Sequence, residues 1–157
     1  MDGGVEGEIS YENFNASAAT VEIYGVSVHP GSAKNTMINA TNVGIEFDRM
    51  LPQGEKPEHT EGYEGFYYLE SFRGNTDHAV LGYILRDHDA CKLESKKATL
   101  KLVEKLLNEK YGEGTVKLTI TDQYKNMAEH VKPCMHLIDN AIAAMKSLNV
   151  TPVIEPI

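Results

Sequence analysis

No apolar run in this sequence approaches the roughly 20 residues that a membrane-spanning helix needs, so no membrane partner is expected. Basic residues are scarce: 15 Lys and Arg stand against 23 Asp and Glu, giving a formal net charge of −8. A surface of that sign repels phosphate backbones, which argues against a nucleic-acid partner. There are two cysteines, Cys91 and Cys134, far apart and in no metal-like spacing. They read as reduced thiols of a cytoplasmic protein rather than as a disulfide. The opening residues MDGGVEGE are acidic and glycine-rich, unlike a signal peptide. The chain also lacks an HExxH motif, paired CxxC motifs and a close His-x-His, so no zinc bound to these residues is expected.

What is present is the balance of an ordinary globular domain: 41% apolar and 24% charged residues in a chain of 157. Residues 1–19 read as an extended lead-in. TVEIYGVSV, Thr20 to Val28, is β-branched and reads as a strand, with Gly25 marking a change of parity and a possible bulge. Ser32 is a plausible N-cap for a helix to about Leu51, with Ala33, Met37, Ala40, Phe47 and Leu51 on its buried face. A long polar loop carries two prolines and three glycines from Leu51 to Gly65. Phe66–Phe72 and His78–Arg86 read as a hairpin. Asp89 caps a helix from Ala90 to about Tyr111, buried along Leu93, Leu100, Val103 and Leu107, and Gly112 and Gly114 end it. Thr115–Thr121 is a further strand. A last helix runs from about Cys134 to Leu148, and an extended tail follows.

The order β-α-β-β-α-β predicts an α+β, ferredoxin-like two-layer sandwich, a four-stranded antiparallel sheet with two helices on one face, plus a C-terminal helix. The organisation expected is a lead-in over 1–19, a sandwich over 20–124 and a return segment over 125–157. On the residues alone, His29 either caps the Pro-Gly turn that follows it or carries chemistry there. Arg86 ends a strand in an otherwise apolar parity set, and by pattern alone it reads as an arginine on the open sheet face, paired with Asp87, Asp89 or Glu70. Asn75 fits a hairpin turn as well as a polar contact. Ser32 has no base placed to make it a nucleophile.

SVHPGSAKNTMINA, HTEGYEGFYYL, YILRDHD and the DGG near the start together resemble the peptidase T family. These are tripeptide aminopeptidases of the two-zinc aminoacylase/carboxypeptidase superfamily, and the likeness runs over essentially the whole chain. It implies a lid or dimerisation domain cut from a larger enzyme, with short catalytic-domain stubs at both ends. Asp2 matches a metal ligand of the parent, a site expected to be empty in these residues. His29 matches a lid histidine that reaches the catalytic cleft and donates to the oxyanion of the tetrahedral intermediate. Arg86 matches an arginine that binds the substrate's C-terminal carboxylate, and Asn75 is a weaker substrate contact. The resemblance further implies two zinc ions in the parent, tripeptide substrates, and a homodimer formed through a helix and an edge strand. The rival expectation is a free-standing ferredoxin-like module for ligand binding or assembly, with no enzymatic role.

Overall fold

The computed structural model describes residues 4–156. In chain order its elements are β1 (Glu8–Ile9), β2 (Asn15–Tyr24), α1 (Ala40–Met50), β3 (Phe66–Gly74), β4 (His78–Asp87), α2 (Ala90–Tyr111), β5 (Val116–Tyr124), α3 (Ala128–Val131), α4 (His136–Ser147) and β6 (Val153–Ile154). Four strands form one sheet in the order β3-β4-β2-β5, and every neighbouring pair is antiparallel. That is the split βαβ arrangement expected from the element order.

Strand alternation supplies one wall of the core. Val21 and Ile23 of β2 and Ala79, Leu81, Tyr83 and Leu85 of β4 turn inward and are buried. The helices supply the other wall, through Ala40, Val43 and Phe47 of α1 and Leu93, Leu100, Val103 and Leu107 of α2. Asp89 caps α2 as the sequence suggests, accepting from the N–H groups of Cys91 and Lys92. Between the helices, Glu46 accepts from the Lys110 ammonium and the Tyr111 hydroxyl, both at 2.6 Å.

Two element boundaries differ from expectation, each because of pairing between segments. The first long strand is Asn15–Tyr24, not Thr20–Val28, because Ala16, Ala18 and Ala19 pair with both neighbours. Ser32 does not cap α1. It lies in a 3-10 turn, Pro30–Ser32, while Ile38 is drawn into a bridge with Val26 and the Asn39 side chain accepts from Asn42 N–H at 3.2 Å. Ala33 and Met37 therefore sit outside the helical stripe. Gly25 is a close approach rather than a bulge: a Cβ there would lie 2.0 Å from the Thr76 carbonyl oxygen. The register irregularity of β2 falls instead at Ala16/Ser17. The last helix, α4, lies within the expected Cys134–Leu148 span, and a short helix, α3, and a 3-10 turn over Lys132–Cys134 precede it. The tail returns as β6, which pairs in parallel with β1, Glu8 opposite Val153. The segments entering and leaving the sandwich thus run side by side.

Candidate functional site

His29 stands exposed at the turn of a loop whose neck is the Val26–Ile38 bridge. Its side chain is set by its own turn: Nδ1 accepts the Gly31 N–H at 3.2 Å. A neutral imidazole that accepts at Nδ1 carries its proton on Nε2. The Pro-Gly turn therefore presents His29 to solvent as an N–H donor, so the capping role and a donor role are compatible.

Asn75 lies at the same end of the sheet. Its Oδ1 accepts from the N–H groups of Asp77 and His78, at 2.9 and 3.0 Å, which occupies the side chain in shaping the hairpin. The same hairpin anchors the His29 loop, through Gly25 N–H to the Asp77 carbonyl and Ala40 N–H to the Thr76 carbonyl.

Arg86 lies at the other end of β4, in register with Ala16 and Phe66. Eight residues of strand separate it from His78, roughly 26 Å at about 3.3 Å per residue. It is half-buried, with its guanidinium 5.9 Å from the Tyr124 ring centroid, and it forms no ion pair among the described residues. The structure thus brings His29 and Asn75 to one end and leaves Arg86 at the opposite one. Asp2 lies outside the described residues.

The long polar loop from Leu51 to Gly65 is tied to the sandwich by charge. Lys96 of α2 bonds Glu55, stands 3.5 Å from Asp87 and lies 5.2 Å from the Tyr67 ring centroid. Asp87 is buried, and its other oxygen accepts the Asp89 N–H at 3.0 Å. Gly65 presses against this cluster, since a Cβ there would lie 2.0 Å from Asp87 Oδ2. The walls enclose a cavity of about 440 Å³ lined by Glu55, His59, Tyr67, Asp87 and Lys96 among others. No lysine of α2 stands among the buried positions expected from the sequence. The available signal was position: Lys96 and Lys97 fall between Leu93 and Leu100, on the buried stripe. Tyr63 of the same loop donates to Glu12 and sits 4.8 Å from His88, which also stacks 4.0 Å from Phe14. The Glu12 bond is the chief cause that raises the Tyr63 hydroxyl above its ordinary pKa.

Among the described residues no three His, Cys, Asp or Glu side chains gather closely enough to hold a metal ion. These residues do not fit a zinc centre. Among them, too, no helix is long and apolar enough to cross a membrane.

The four-stranded antiparallel sheet under two helices is an α+β sandwich, a fold that by itself leaves the function open. Residues 11–115 match the peptidase dimerisation domain family, and the chain belongs to it. The curated relatives are more particular. Over all 157 residues the chain is 48% identical to Peptidase T of Alkaliphilus oremlandii and 50% identical to Peptidase T of Clostridium novyi. It spans 38% and 39% of those proteins' lengths. Among solved structures, a tripeptidase from Staphylococcus aureus superposes with a TM-score of 0.83 at 14% identity, over 99% of this chain and 41% of that one. An aminopeptidase from Bacillus cereus does so with a TM-score of 0.77 at 18% identity, over 99% and 41%. At these identities the structural likeness is one of fold.

Proposed function

We propose that this chain is the lid and dimerisation domain of a cytoplasmic, zinc-dependent aminopeptidase that releases the N-terminal residue of tripeptides, and that it is inactive alone. The observation that carries the reading is the match to Peptidase T over the full length of the chain. The two zinc ions belong to the parent enzyme, with Asp2 as one ligand there. The lid's own residues bind and orient. His29 offers its Nε2–H to the substrate carbonyl oxygen as negative charge develops on it. Arg86 grips both oxygens of the C-terminal carboxylate. Asn75 contributes at most through the backbone of its hairpin, because its side chain already shapes the turn.

Two copies are needed for these roles to meet. A tripeptide spans only about 10 Å when fully extended. The strand length between the His29 end and Arg86 exceeds that, so a site using both takes them from different copies. The surface for pairing is the outer edge of β3. Beyond Tyr67, whose N–H bonds the Glu55 carbonyl, no hydrogen bond among the described residues reaches that edge. Ile45 of α1 flanks it, 40% exposed, one turn on from Thr41, whose hydroxyl donates to the Asn75 carbonyl at the end of β3. Unpaired backbone beside an apolar helix flank suits a two-fold, self-complementary contact.

The test is a graft. This chain replaces the corresponding segment of a Peptidase T relative, and tripeptide hydrolysis is measured. H29A is expected to lower kcat by about 100-fold, the scale of one lost oxyanion donor. R86A is expected to raise KM for a tripeptide far more than for its C-terminal amide. Full activity in both variants would overturn the assignment, as would turnover by the chain alone with added zinc.

A further inference from the structure

The two edges of the sheet are not alike. Along β5 the backbone groups of Val116 and Leu118 point away from β2, and α2 bonds both groups of Val116 and the N–H of Leu118. Asn108 accepts the Val116 N–H at Oδ1, 2.8 Å, and donates from Nδ2 to the Val116 carbonyl, also at 2.8 Å. A primary amide carries a donor and an acceptor side by side, as a peptide group does. Asn108 therefore fills the place that a residue of a fifth strand would take. One turn earlier on α2, the Glu104 carboxylate accepts the Leu118 N–H at 2.7 Å. Further back, Lys97 pairs with Asp122 near the end of β5. Among the described residues, no such bond covers β3 beyond Tyr67.

We propose that Asn108 and Glu104 plug the β5 edge against strand addition by a second copy of this chain, so that copies join only through β3. For the identity of the partner this rests on the dimerisation reading. Pairing at one edge closes into a two-fold dimer, whereas pairing at both edges has no closure and grows into an open array. An incoming strand has to break the charge-assisted Glu104 bond and set its own carbonyls against a carboxylate. The plug is thus directed against a competing assembly.

The experiment is sedimentation velocity over a wide range of concentration, on the chain and on E104A/N108A. The wild-type chain is expected to stop at a dimer, and the variant to form larger species that grow with concentration. N39A, which removes the cap of α1 away from this edge, is the control for lost stability and is expected to keep the wild-type state. A folded E104A/N108A that sediments like wild type overturns the plug. A wild-type monomer whose variant dimerises upholds the plug and sinks pairing through β3, so the two failures are separable. If the variant does not fold, hydrogen exchange on the wild-type chain decides. Slow exchange of the Val116 and Leu118 amides supports the plug, and rapid exchange at both overturns it.

Discussion

Lys96 carries an ammonium into a space where its side chain keeps 9% of its exposure, against an Asp87 side chain that keeps 2%. Desolvation of two such charges offsets much of their attraction, so the pair is weak support for stability but costly to break. K96M leaves Asp87 uncompensated and is expected to cost about 3–5 kcal/mol in denaturant titration. D87N/K96M is expected to recover a good part of that loss, because the stranded charge is gone. Additive losses along this cycle would show that the pair is not coupled. The cluster was poorly legible in sequence. A lysine at a stripe position looks like any lysine until a loop 41 residues away brings Glu55 to it. His29 was legible because its turn is local: histidine, proline and glycine together fix the geometry that orients the ring.

Strands and long helices were the most legible elements, since their periodicity is set by burial on one side. The inward residues of β4 and α2 fall where alternation and 3.6-residue spacing place them. The start of α1 was not legible, because two caps compete and tertiary pairing chooses between them. Ser32 and Asn39 are both residue types that cap helices, but the Val26–Ile38 bridge takes Ile38, which a Ser32-capped helix would need. N39A is accordingly expected to cost about 1 kcal/mol, the usual value of a lost N-cap. S32A is expected to be close to neutral, and an equal loss from both by thermal melting would put the helix start back at Ser32. Between the helices, hydrogen bonds from Lys110 and then Tyr111 hold the Glu46 carboxyl below its ordinary pKa. A carboxyl with its folded pKa depressed adds stability above its unfolded pKa, and that stability is lost as pH falls through the folded value. E46Q is therefore expected to reduce stability at neutral pH while flattening its fall under acid. An unchanged acid limb would remove Glu46 from the account.

At the scale of the molecule, one separation bears on the proposed function: His29 and Arg86 belong to opposite ends of the same sheet. If both serve one tripeptide, each site draws on two lids, and the defects of two variants become complementary. In a heterodimer of H29A and R86A grafted enzymes, one site receives the intact arginine of the first copy and the intact histidine of the second. The other site collects both defects. Random reassociation makes about half of the dimers mixed, so about a quarter of wild-type sites return on mixing two impaired proteins. If each lid serves its own site, every site in the mixture keeps one defect and no activity returns. Recovery must also depend on subunit exchange, rising as the proteins are diluted, mixed and reconcentrated. Once subunits exchange, the complementation assay thus reads whether the separation along β4 is the basis of a shared site.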